Sequence, residues 1–204
     1  QVDIDMIAGP SEIGVIADES ANPVHLAADL LSQAEHDPRA RAIMVTNSEK
    51  LAQLVSDEVE RQLSQLPRES IARPAIENNS YIAVMDSVED MFTVMNEVAP
   101  EHLEIQLPDP MEYMSMVENA GSVFLGRYAS EPLGDYVGGT NHVLPTSGTA
   151  KFSSPLGVYD FVKRISFTQF SRERLQEVAK DITTLARTEG LEAHARAIEV
   201  RFEK

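Results

Sequence analysis

Short apolar runs alternate along this chain with stretches whose apolar residues recur every three or four positions. Ile13–Ala17, Ala42–Val45, Tyr81–Met85, Leu103–Ile105 and Ser122–Leu125 are compact apolar segments and predict strands. Between the first two, Asn22-Pro23 supplies a cap and a first-turn proline, and Leu26, Ala27, Leu30, Leu31 and Ala34 follow at helical spacing. That helix should stop near His36-Asp37, because Pro38 disfavours helix in the residue before it. Asn47-Ser48 opens a second amphipathic helix through Leu51, Leu54, Val55, Val59 and Leu63. Ser87 caps a third, to about Val98, and Pro110 to Asn119 reads as a fourth. Gly126 to Ser154 is rich in Gly, Pro, Ser and Thr and reads as a long loop of the kind that carries function. After it, Ser171 caps a helix through Leu175, Val178, Ile182 and Leu185, Gly190 ends it, and a last helix starts near Leu191. The alternation predicts an α/β fold: a Rossmann-like, mostly parallel sheet over residues 1–156, then a helical tail over 157–204.

Composition narrows the chemistry. With no cysteine, disulfides and thiolate catalysis are excluded, and a zinc site would need His, Asp, Glu or amide oxygen ligands. The formal net charge of −16 repels phosphate backbones, so no nucleic-acid partner is expected, whereas a small cation would be attracted. No apolar run approaches the roughly 20 residues of a membrane span, and no membrane partner is expected. The lack of cysteine suits a reducing cytoplasm. The chain opens on Gln1 and runs into an alternating Val2–Met6 segment that reads as already ordered, so a piece of a longer protein is expected. No G-x-G-x-x-G follows any strand, and no cofactor-binding residue is apparent.

Gln33 and His36 lie three apart at a helix end and share a face, so both could reach one cation; packing or capping would use them equally well. Glu101 and His102 adjoin a strand, where neighbours point to opposite faces, although a turn would let both flank one ligand as a base pair of groups. The alternative is a solvated polar pair. Asp135, after Gly134, is a carboxylate ligand or a turn residue. Glu189 and His194 bracket the Gly190 break in the tail. Met91, Met95, Met111, Met114 and Met116 read as core filler.

These segments also occur together in a known order. Ala8-Gly9-Pro10-Ser11-Glu12, Leu31-Ser32-Gln33-Ala34-Glu35-His36, Pro100-Glu101-His102-Leu103, Gly121–Gly126 and Gly139-Thr140-Asn141-His142-Val143-Leu144-Pro145-Thr146 resemble histidinol dehydrogenase. The resemblance implies oxidation of L-histidinol through the aldehyde to L-histidine, with one zinc per site and two NAD. It implies zinc on Gln33, His36, Asp135 and His194, and substrate contacts at Ser11, Gln33, His36, His102, Asp135, Glu189 and His194. Glu101 and His102 become the acid–base pair. Glu189 and His194 are expected to act in the partner's site of a homodimer. Two positions depart from the pattern: Asp37 and Ala99 stand where glycine is expected. The family also has a long preceding segment that supplies the NAD domain, so these residues alone are expected to show no dehydrogenase turnover. Other readings are a non-catalytic zinc-binding dimer module, an inactive fragment, and a zinc hydrolase using Glu101.

Overall fold

The computed structural model describes residues 4–203, so Val2 and Asp3 of the opening run lie outside the described residues. Ile4 to Pro10 form no regular element, and the expected order there is not a strand. Five strands follow: β1 (Glu12–Ala17), β2 (Arg41–Thr46), β3 (Tyr81–Val84), β4 (His102–Gln106) and β5 (Ser122–Leu125). They form one all-parallel sheet in the order β3-β2-β1-β4-β5. Helices α1 (Pro23–Ala34), α2 (Glu49–Leu63), α3 (Glu69–Asn79) and α4 (Val88–Val98) make the crossovers. The expected fold class stands.

Capping explains the helix starts. The Asn22, Ser48 and Ser87 side chains accept from Val24, Leu51 and Asp90 amides and satisfy donors that the first turn leaves free. Two cores sit on opposite faces of the sheet. One packs Val15, Met44, Leu26 and Leu30 with α2; the other packs Ile16, Ile43, Leu103 and Ile105 against Met91, Phe92 and Met95 of α4.

Three expectations change. The first helix ends at Ala34, two residues before His36, whose amide bonds the Gln33 carbonyl three residues back at 3.2 Å and tightens the last turn. Pro110–Met116 is a 3₁₀ helix; of the expected set Met91 and Met95 are buried in the core, Met116 packs half-buried against it, and Met111 and Met114 are exposed. The Gly126–Ser154 segment is not all loop: it holds α5 (Glu131–Tyr136). Sequence periodicity also passed over α3, whose internal Pro74 masks a helix with few apolar positions.

The described residues divide into two compact units, one through Phe161 and one from Val162. The second consists of α6 (Arg172–Thr188), capped by Ser171, and α7 (Glu192–Glu199), parted at Gly190 in the left-handed region with φ 76°. Among the described residues no helix is long and apolar enough to cross a membrane.

Candidate functional site

Chemistry gathers at the amino-terminal ends of β1 and β4. These strands are neighbours, with Ile13 opposite His102. Just before β4, Ala99 takes a left-handed conformation (φ 50°, ψ 60°) that ends α4 and turns the chain into Pro100 and Glu101. A residue with a Cβ is disfavoured there, which is the physical reason to expect glycine. That turn resolves the pointing problem. Glu101 Oε2 accepts from the Glu12 amide at 3.0 Å, and His102 Nδ1 lies 3.0 Å from the Glu12 carbonyl, so both side chains clasp one residue of β1. Gly121 lets the β5 approach come close: a Cβ there would stand 2.5 Å from the Glu101 carbonyl oxygen.

The hydrogen bond fixes the histidine tautomer. A carbonyl only accepts, so Nδ1 carries the proton and Nε2 is the free base. That Nε2 is buried and lies 3.5 Å from Glu131 Oε1. Burial lowers the His102 pKa, with smaller influences from the Glu12 carbonyl, Asp135 and His36. Glu101 is raised to about 7, chiefly by desolvation, and also by the Glu12 and Asp135 charges. Glu12 is itself raised by burial, although Arg41 at 3.3 Å and the Ser147 amide at 3.2 Å hold its carboxylate.

Glu131 was absent from the sequence-predicted set. It opens α5, and its pKa is raised to about 8 by burial first, then by Asp135 and Glu101. Asp135, four residues on, shares its helix face. Ligand atoms of His102, Glu131 and Asp135 fall within 4.8 Å of one another, a group able to hold a metal ion. The signal in the sequence was Ser130-Glu131-Pro132, a capping residue, an acid and a proline in the pattern of a helix start. Gln33 joins from the end of α1. Its amide sits close enough to lower the Glu131 pKa, yet its buried Nε2 completes no full hydrogen bond.

His36 is exposed and couples electrostatically to His102. With Ser11 it lines an open cleft of about 330 Å³ that also includes Gly9 and Arg39. The Ser11 carbonyl accepts from Arg41. Asp37, the second departure from the family pattern, makes a local turn by accepting from the Arg39 amide at 2.8 Å. Glu189 caps the end of α6 and His194 lies in the first turn of α7, both within the second unit.

Among the described residues three buried side-chain atoms have no hydrogen-bond partner: Gln33 Nε2, His102 Nε2 and Glu131 Oε1. Each such atom costs about 1–3 kcal/mol when left unpaired. All three belong to this one cluster, where burial and the Asp135 charge raise Glu101 and Glu131. A cation or a polar ligand would relieve both penalties.

Comparison with known proteins gives the family. The histidinol dehydrogenase family model matches residues 1–202. The chain belongs to the histidinol dehydrogenase family. It is 66% identical over 203 residues to a histidinol dehydrogenase of Lactiplantibacillus plantarum, covering 100% of this chain and 47% of that protein. For the Streptococcus mutans histidinol dehydrogenase the identity is 64%, with 100% of this chain and 48% of the relative covered. The crystal structure of histidinol dehydrogenase from Elizabethkingia anophelis superposes with a TM-score of 0.89 at 44% identity, over 99% of this chain and 46% of the other. The chain thus spans about half the length of the curated relatives it matches.

Proposed function

We propose that this chain forms the cation- and substrate-binding half of an NAD-dependent oxidoreductase that converts L-histidinol to L-histidine. The observation that carries the reading is the coincidence of three orphaned buried polar atoms with a His–Glu–Asp group at one sheet edge. The donors fit zinc, which accepts nitrogen and oxygen ligands. Gln33, His36 and Asp135 would hold it, with His194 from a second copy. The side-chain carbonyl oxygen of Gln33, buried beside Glu131, is the donor it would offer a cation. When bound, zinc orients the substrate's nitrogens and polarises its oxygen. NAD, which accepts the hydrides, is assigned to the part of the relatives that this chain does not span.

The chain's own groups then divide the proton work. His102 Nε2, neutral and unpartnered, takes the proton of the alcohol. Glu101, with its pKa near 7, deprotonates the water that attacks the aldehyde. Ser11 and His36 line one cleft beside the site, and the chain's net charge of −16 favours a cationic amino alcohol. Segment 157–204 is assigned to dimer formation, with Glu189 and His194 completing the partner's site. The exposed Ile165, Phe167, Leu185 and Leu191 of the second unit support that assignment. A cytoplasmic location follows from the biosynthetic role.

The test uses the full-length protein. Histidinol-dependent NADH formation should fall about 10²-fold or more in His102→Ala, in keeping with loss of a general base. Activity of that variant within threefold of the unaltered protein would reject the role of His102.

A further inference from the structure

We propose that Glu104 is the positioning residue of this site: from the floor of the sheet it pins the first residue of α5, and so sets Glu131 and Asp135 against His102. The inference rests on the cation-site reading given above. His102, Glu104 and Gln106 alternate along β4 and therefore emerge on one face of the sheet. Leu103 and Ile105 occupy the other face, against α4. The polar face of β4 meets α1, where Asp29 and Gln33 are four apart on one stripe. Gln33 meets Glu131, and Asp29 hydrogen-bonds Glu104 one step deeper.

Glu104 is fully buried, at 0% exposure. An acid so placed is costly unless every lone pair is used. Both oxygens are used here: Oε1 accepts from the Glu131 backbone amide at 2.9 Å and Oε2 from Gln106 Nε2 at 3.0 Å. The Glu131 amide is the first of α5 and has no partner within the helix. Ser130, at the cap position, makes no side-chain cap bond, and such a bond would reach the second or third amide of a helix rather than this first one. The cap therefore comes from β4, 27 residues away, and anchors the helix to the same strand that carries His102. Two of the three atoms left without partners depend on this anchor for their mutual distance: Glu131 Oε1 and His102 Nε2.

Amide exchange and zinc affinity of the full-length protein test the pin. In the unaltered, zinc-free protein the Glu131 amide should exchange slowly, as an interior helical amide does, although first-turn amides are ordinarily open to water. Glu104→Leu should speed exchange across residues 130–137 about tenfold or more and weaken zinc binding to a similar degree. Glu104→Gln keeps a carbonyl acceptor and should stay within about threefold on both counts. A fast-exchanging Glu131 amide in the unaltered protein overturns the proposal even if the leucine variant does not fold. So does a folded leucine variant with unchanged exchange and zinc affinity. Absence of zinc uptake by the unaltered protein, with its Glu131 amide protected, would instead remove the cation reading and leave the pin.

Discussion

At the residue scale, two neighbouring groups are tuned in opposite directions by the same burial. Desolvation disfavours charge, so it lowers His102 and raises Glu101. Near neutral pH His102 is thereby a neutral base, while Glu101 sits at the midpoint of its titration near 7. A base acts when deprotonated, so the Glu101 step should rise as pH increases through about 7 and fade below it. In full-length protein supplied with the aldehyde, Glu101→Gln should abolish that rise and lower the rate about 10²-fold or more. A pH profile unchanged by the substitution would remove Glu101 from the role. The local spacing of these two residues did not separate a working pair from a solvated one; only the family resemblance favoured the pair. The deciding facts are the left-handed Ala99 turn and the shared grip on Glu12, 89 and 90 residues away in sequence, and no local pattern encodes such contacts.

At the element scale, strands and capped helices were legible because period and capping are local. Five apolar runs and the Asn22, Ser48, Ser87 and Ser171 caps lie where the pattern puts them. What escaped was α5, six residues among glycines and prolines, whose start is fastened by Glu104 on a distant strand. Two consequences follow for this layer. Gly121→Ala would drive a methyl to 2.5 Å from the Glu101 carbonyl, a backbone atom that cannot swing aside. Such overpacking typically costs about 1–3 kcal/mol, so denaturant titration should show a loss of about 2 kcal/mol. A loss under about 0.5 kcal/mol would show that β5 and the Glu101 turn are not so tightly joined. Glu104 is raised to about 8 by burial first and the Asp29 charge next. Because its folded pKa lies above the ordinary 4.5, its favourable contribution is complete below pH 4.5 and is lost as pH climbs toward 8. Glu104→Gln cannot ionise, so its stability relative to the unaltered chain should improve from pH 5 to pH 8.5. Chemical unfolding at the two pH values checks this, and a glutamine variant that loses stability relative to the unaltered chain as pH rises would contradict it.

At the scale of the whole molecule, the parallel sheet aligns the amino-terminal ends of β1 and β4 with the end of α1 and the start of α5. Four segments, near residues 12, 33, 102 and 131, thereby converge on one cluster. The strong negative charge forecast an affinity for cations in general, but only the fold shows where Asp135 and Glu101 crowd Glu131 enough to raise it. The second unit contributes helices with exposed apolar side chains, in keeping with a role in assembly. The chain spans about half the length of the curated relatives it matches.

The most direct measurement is an anomalous-scattering map of the full-length protein crystallised with zinc. The account predicts one strong peak beside the cluster, bonded to Asp135 and to the Gln33 carbonyl oxygen at about 2.0–2.2 Å. A protein saturated with zinc whose peak lies away from Gln33, His36 and Asp135, or one that binds none, would contradict it.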